Sequence, residues 1–319
     1  MRPSFHPRLV NPPFGDPGVF VPFAHEKRAM IFDLGDIHSL SPRDILKISH
    51  IFISHTHMDH FFGFDHLLRL FLGREKVLYL YGPGGILKNV EGKLAGYTWN
   101  LAERYAKDFS LKVAEVAPDH LLTREYPCRN RFRPEADAVQ TPFDGFLLKE
   151  SELSVSADFL DHATPCLGFT LQERFHINIL KERVEELGLT VGPWVKRFKT
   201  ALFEGQPSDS KFHVGSPDAA GPIFPLGDLA DRIARITPGQ KITYITDTAY
   251  TRSNREKILA LSRGADELFI EAVFSESDRD KAAQKRHLTA HQAGTLAGRA
   301  GVKRFTVFHF SPQIGRAHV

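Results

Sequence analysis

Within Ser54-His55-Thr56-His57-Met58-Asp59-His60, three histidines and a carboxylate fall inside six residues. Imidazole nitrogens and carboxylate oxygens are the usual protein ligands for divalent cations such as zinc. In an extended segment, side chains two apart point to one side, so His55 and His57 reach a common ion, while Asp59 and His60 turn toward a second position. One segment cannot fill two coordination spheres. Further ligands are expected at other strand ends, where His162, Asp247 and His309 stand. His287 lies just before a helical pattern and suits a proton donor better than a ligand. The competing readings are a histidine-rich surface loop for the cluster and ordinary capped or buried polar residues for the other four.

The elements that would position these groups are legible from their patterns. Ala29–Asp33, Ile51–Ser54 and Val77–Tyr81 are short β-rich runs bounded by turn residues. Phe61–Leu72 has apolar residues at helical spacing, and Leu87–Tyr105 reads as a second helix. Leu111–Val116, Gly145–Lys149, Leu153–Phe159 and Phe169–Glu173 follow one another with no helix between them and are expected to run antiparallel. The last third alternates again: strand Lys241–Thr246, helix Asn254–Arg263, strand Glu267–Ala272, helix Ala290–Ala300, strand Arg304–Phe308. The expectation is an α/β chain folded as an αββα sandwich. Between its halves, Ile179–Leu187 is helical in pattern, Gly192-Pro193 breaks the chain before Trp194–Lys199, and Gln206–Gly227 reads as an exposed excursion.

Composition narrows the function classes. With 319 residues, 42% hydrophobic and 25% charged, the chain is not disordered, collagenous or a coiled coil, and it can bury a substantial core. The formal charge of +3 is too small to signal nucleic-acid binding by bulk electrostatics. Two cysteines, Cys128 and Cys166, cannot form a disulfide framework and read as buried or half-buried fillers, in a reducing compartment or in a chain indifferent to redox state. The first residues lack the apolar core of a secretion signal, and no long apolar run marks a membrane span, so a cytoplasmic, non-membrane protein is expected.

The run His55-x-His57-x-Asp59-His60 followed by His162, Asp247 and His309 resembles the metallo-β-lactamase fold family, whose dinuclear site is filled by these residue types in this order. Asp161–Phe169, Thr246-Asp247-Thr248, Glu271-Ala272, His287–Ala290 and Thr306–Pro312 make the chain similar to the ribonuclease Z branch of that family. The branch implies a single metallo-β-lactamase-like domain over residues 1–313, with a substrate arm or insertion at about 172–227. It implies that His55, His57 and His162 hold one zinc and Asp59, His60 and His309 the other, with Asp247 as bridge and Mn2+ as an alternative metal. Asp59 counts as a catalytic carboxylate as well as a ligand. Two such ions lower the pKa of a shared water toward neutrality, so that hydroxide attacks phosphorus while His287 protonates the leaving 3′ oxygen. The implied substrate is precursor transfer RNA, cut at its 3′ end, and the implied assembly is a homodimer.

Two features pull in other directions. The arm candidate from Gln172 to Ser216 holds seven Lys and Arg against six Asp and Glu, close to neutral, although Lys196, Arg197 and Lys199 beside Trp194 and Phe198 combine cations with aromatics, which suits either RNA contact or a solvated strand or helix edge. A near-neutral arm fits a hydrolase of small phosphodiesters such as cyclic nucleotides, or of other esters; a non-catalytic RNA-binding subunit is the third reading. Arg129, Arg131 and Arg133 around Phe132 form another small basic run, either a phosphate contact or a surface loop. Finally, residues 314–319, Ile-Gly-Arg-Ala-His-Val, back-translate to a common sequencing adapter and are expected to be a non-native tail.

Overall fold

The structure, a computed structural model, describes residues 3–24, 26–215 and 221–311. The tail expected at 314–319 lies outside them. The chain divides into two compact units, the smaller comprising Met1–Ser4, Leu148–Ser154 and Gln172–Gln240, the larger Phe5–Leu147, Val155–Leu171 and Lys241–Val319.

In the larger unit, one sheet runs in the order Arg8–Leu9, Val19–Pro22, Ala29–Phe32, Ile48–Phe52, Lys76–Pro83, Phe109–Val116, His120–Pro127, Val139–Pro142. Its four central strands are mutually parallel. The second sheet runs Phe305–Phe308, Glu267–Glu271, Lys241–Ile245, Pro165–Glu173, Leu153–Asp161, Phe146–Lys149, and its first three strands are parallel. Parallel strands are covered on both faces, which is why Ala29–Phe32 and Glu267–Glu271 are buried at every position instead of alternating.

Alternation decides which face each side chain fills. Ile31, Ile51, Leu78, Leu80 and Val113 pack under the helices Phe64–Phe71 and Ile86–Ala95 in one core. Phe32 and Phe52 point the other way and meet Phe169 and Tyr244 of the second sheet, with ring centroids 5.6–5.8 Å apart. On the outer face of that sheet, Ile245, Leu268 and Ile270 pack with Ile258 and Leu296 of the helices Arg252–Ser262 and Ala290–Ala300. The result is helix, sheet, sheet, helix, joined by an aromatic layer: the expected αββα sandwich.

Three sequence expectations change. Leu111–Val116 is not part of the antiparallel run in the second sheet; it pairs in parallel with Lys76–Pro83 in the first, and its antiparallel neighbour is His120–Pro127, a strand outside the patterns described above. The helix expected through Tyr105 stops at Ala95, because Gly96 follows and Trp99 Nε1 donates to Leu94 O, turning the chain into a single 3-10 turn at Ala102–Arg104. The excursion at 206–227 contains a small hairpin, Lys211–His213 against Ile223–Pro225.

The smaller unit has its own core. Val184, Trp194, Phe198, Ala201, Leu229 and Ile233 pack together from the helices Lys181–Glu186, Trp194–Phe203 and Leu226–Ile233, beside the antiparallel pair Phe175–Ile179 and Ala234–Pro238. Among the described residues, no helix is long and apolar enough to cross a membrane.

One buried side chain ties two strand ends of the larger unit together. Asn254 accepts from Asp161 N at 3.0 Å, and its amide donates toward Asp161 O, Thr248 Oγ1 and Ala249 O at 2.9–3.0 Å. Its backbone N–H is capped by Thr251. Asn254→Ala strands several of these buried groups and should lower the unfolding free energy by about 1–3 kcal/mol. Urea denaturation checks this; an unchanged midpoint would show that the tie adds nothing.

Candidate metal centre

The parallel strands carry the chemistry at their C-terminal ends, where the chain leaves the sheet and side chains are free to converge. Asp33 follows Ala29–Phe32, Ser54 and His55 follow Ile48–Phe52, Asp247 follows Lys241–Ile245, and His309 follows Phe305–Phe308. His162 directly follows Leu153–Asp161.

Among the described residues, ligand atoms lie within 4.8 Å of one another in His55, His57, His162 and Asp247, in Asp59, His60 and His309, and in a third group, Asp247, His287 and His309, that overlaps both. The first two are separate donor groups. Asp247 stands between them, and its two oxygens face different ways. Oδ2 lies 3.3 Å from His162 Nε2 and 3.7 Å from His55 Nε2. Oδ1 lies 2.9 Å from His309 Nδ1 and 3.6 Å from His60 Nε2. His55 Nε2 and His57 Nδ1 approach to 2.9 Å, and Asp59 Oδ2 is 3.2 Å from His309 Nε2. His57 keeps an extended backbone and caps the short helix Met58–Phe61, so the segment changes direction after it and Asp59 and His60 swing to the second group.

Backbone strain concentrates here. Six described non-glycine residues have positive φ, and four of them are Asp33, Ala163, Arg286 and His309. Ala163 follows His162, and Arg286 precedes His287. Left-handed backbone at such residues costs of order 1–3 kcal/mol each and persists where surrounding contacts over-determine it. Gly35 is required for a different reason: a Cβ there would meet Asp59 O and Asp16 Cβ at 2.5 Å.

A layer of partners fixes the imidazoles. Asp33 is fully buried; Oδ2 accepts from Ser54 Oγ at 2.7 Å, His60 Nδ1 at 2.8 Å and Tyr244 OH at 2.7 Å, while Oδ1 accepts from Ser54 N at 2.7 Å. Ser54 Oγ, with its proton on Asp33, accepts from His55 Nδ1 at 3.1 Å. His162 Nδ1 donates to Arg286 O at 2.9 Å. With Nδ1 held as a donor, each of these three rings is turned so that Nε2 faces the donor groups, the arrangement that orients metal-binding histidines. His287 Nδ1 sits 3.2 Å from Glu271 Oε2, and Glu271 Oε1 accepts from Thr248 N at 2.8 Å. The sequence reading assigned no role to Asp33, Tyr244 or Glu271. For Asp33 and Glu271 a signal is present: a carboxylate directly after the apolar runs Ala29–Phe32 and Leu268–Ile270.

The electrostatics describe a pocket built for positive charge. Burial holds the His55 imidazole down at about 2, so it is neutral. Burial also opposes charge on His60 and His309, but Asp247, with Asp33 for His60 and Asp59 for His309, outweighs it; His60 rises well above its ordinary value and His309 to about 10. Burial would raise Asp247, yet His60 and His309 hold it well below the usual carboxylate range. For Asp59 the hydrogen bond from His309 overcomes burial and brings it to about 2. His60 Nε2 and His309 Nδ1 are nonetheless buried without an aligned hydrogen-bond partner among the described residues. Unsatisfied buried nitrogens beside ionised carboxylates are costly as they stand. Cations taking those lone pairs, with the protons released, would satisfy both, so the donor set fits divalent metals.

The other sequence candidates lie in the smaller unit, on Trp194–Phe203. Lys196 is exposed. Arg197 donates to the carbonyls of His213 and Gly215 and lies over the Phe212 ring. Lys199 is half-buried, which lowers its pKa against the opposing pull of Glu173 and Glu152. A cavity of about 840 Å3 lined by Pro193, Trp194, Lys196 and Arg197 adjoins them. In the larger unit, Arg129 and Arg131 pair with Asp108 and Glu103, and Phe132 is buried. Cys128 and Cys166 are both buried and free.

Comparison with known proteins gives a consistent likeness. A model of the Beta-lactamase superfamily domain matches residues 231–310. Ribonuclease BN of Proteus mirabilis is 30% identical over 293 residues, spanning 90% of this chain and 80% of that protein. Ribonuclease Z of Deinococcus radiodurans is 29% identical over 285 residues, 88% of this chain and 82% of that protein. The crystal structure of human tRNase Z, short form, shares the fold with a TM-score of 0.52 over 98% of this chain and 92% of that one, at 17% identity.

Asp33→Asn keeps the shape but turns an acceptor of three side-chain protons partly into a donor. Metal affinity should fall roughly 10–100-fold, the usual effect of losing a ligand's hydrogen-bond partner. Titration of the chelator-stripped protein with zinc reads this directly; unchanged affinity would remove Asp33 from the account of the site.

Proposed function

This chain belongs to the ribonuclease Z and ribonuclease BN family of metal-dependent hydrolases, and from that premise we propose that it cuts precursor transfer RNA at its 3′ end with two zinc ions. The observation that carries the reading is the Asp247 carboxylate, whose two oxygens face two separate donor groups. His55, His57, His162 and Asp247 Oδ2 would hold one ion, and Asp59, His60, His309 and Asp247 Oδ1 the other. Bound there, the ions would supply a nucleophile from water at neutral pH and offset the negative charge of the phosphate oxygens.

The chain's own residues do the rest. Glu271 fixes Nδ1 of His287 and leaves Nε2 to carry the transferable proton. Burial disfavours charge on His287, but Glu271 outweighs it and raises its pKa, favouring the protonated ring. As an oxygen from water bonds to phosphorus and the bond from phosphorus to the 3′ oxygen breaks, His287 gives its proton to that oxygen. The products are a 3′ hydroxyl on the transfer RNA body and a 5′ phosphate on the trailer.

The smaller unit is proposed as the arm that holds the RNA body, with the exposed Lys196 as a phosphate contact and Arg197 and Lys199 as weaker contributors. That Arg197 and Lys199 are engaged within the unit favours the second reading, a hydrolase of small phosphodiesters. A 3′-extended precursor transfer RNA and bis(p-nitrophenyl) phosphate, offered in parallel, separate the two: accurate cleavage of the RNA supports the first, and turnover of the small ester alone overturns it.

His287→Ala should leave metal content intact while lowering RNA turnover by roughly 10²–10⁴-fold, the usual contribution of a general acid. Loss of zinc in that variant would contradict the role. Lys196→Ala should weaken RNA binding and reduce the slope of log affinity against log salt by about one; an unaltered slope would show that Lys196 meets no phosphate.

A further inference from the structure

The cleft over the ligand cluster, about 490 Å3, is walled on one side by Phe14 and Phe310. Phe14 is 53% exposed, an unusual setting for a phenyl ring beside so many charged groups. It packs edge-on against Phe310 at 5.2 Å, and Phe310 directly follows His309.

The loop that presents Phe14 is braced at nearly every residue. Asn11 Nδ2 donates to Asp16 O at 2.9 Å and Asp36 O at 2.7 Å; Gly15 N donates to Pro12 O at 2.8 Å; Phe310 N donates to Pro13 O at 2.8 Å; Asp36 N donates to the Asp16 carboxylate at 3.0 Å. Gly15 makes the tight turn possible, since a Cβ there would lie 2.9 Å from Asn11 Cβ. An exposed ring on a pre-ordered loop loses little freedom when something stacks on it. Lys285, exposed in the same cleft, adds a cation.

We propose that Phe14, supported by Phe310, is a stacking shelf for the nucleobase next to the scissile phosphate, with Lys285 on the neighbouring backbone phosphate. The proposal rests on the RNA reading above and gives that site its base contact. A phosphodiester seated on the ligand cluster carries its bases one sugar away, at the cleft wall, and an aromatic face accepts any of the four because every base has a π face. The shelf therefore contributes affinity and register without selecting a base.

The test pairs protein and RNA changes: a 3′-extended precursor transfer RNA, and the same RNA made abasic at either nucleotide flanking the cut. In the wild type, one of the two abasic positions should lower kcat/KM roughly tenfold, the scale of one base–aromatic stack. In Phe14→Ala the full RNA should lose about as much, and the abasic penalty should shrink to less than about twofold, because ring and base act as one contact. Phe14→Leu, which keeps apolar bulk, should behave like the alanine variant, and Phe14→Trp should restore the wild-type pattern. An abasic penalty that persists in Phe14→Ala, or an equal loss on full and abasic RNA, overturns the shelf. A wild-type protein that hydrolyses bis(p-nitrophenyl) phosphate and cleaves none of the RNAs overturns the RNA reading, and the shelf with it.

Discussion

The interaction on which the rest of the molecule depends is the meeting of Asp247 with nitrogens on both sides of it. A buried carboxylate is stable only when positive charge or hydrogen-bond donors surround it. Here His162 and His55 stand at Oδ2 and His309 and His60 at Oδ1. The same arrangement leaves His60 Nε2 and His309 Nδ1 without aligned partners among the described residues. The site thus stores an electrostatic demand that protons meet incompletely and cations would meet fully. The strained backbone at Asp33, Ala163, Arg286 and His309 and the close approach at Gly35 show how much of the fold is spent holding these groups together.

The two sheets serve that convergence. Parallel strands start and end together, so the residues after Ala29–Phe32, Ile48–Phe52, Lys241–Ile245 and Phe305–Phe308 emerge at one edge of each sheet. The aromatic layer of Phe32, Phe52, Phe169 and Tyr244 sets the spacing between the sheets. Tyr244 joins the layer to the site, because its ring stacks on Phe32 while its hydroxyl donates to Asp33. Packing and chemistry are therefore coupled through one side chain.

Much of this was legible in the sequence because the informative signals were local. The spacing of His55, His57, Asp59 and His60 is a property of six consecutive residues, and strand-then-helix periodicity announced the sandwich. His162, Asp247 and His309 could be named because each stands at the end of a strand pattern. The partners that orient the rings were not legible in the same way: Tyr244 lies 211 residues from Asp33, and the acceptor for His162 is the backbone carbonyl of Arg286, which no residue type encodes. Leu111–Val116 joins the first sheet and not the antiparallel run that follows it, because adjacency in sequence does not say which strands will pair. Nor does composition reveal that Arg197 spends its guanidinium on carbonyls of its own unit.

The most direct measurement is anomalous diffraction at the zinc absorption edge from crystals of the chain grown with zinc. Two peaks should flank the Asp247 carboxylate, one beside His55, His57 and His162 and the other beside Asp59, His60 and His309. A single peak, or peaks that avoid Asp247, would contradict the two-metal account.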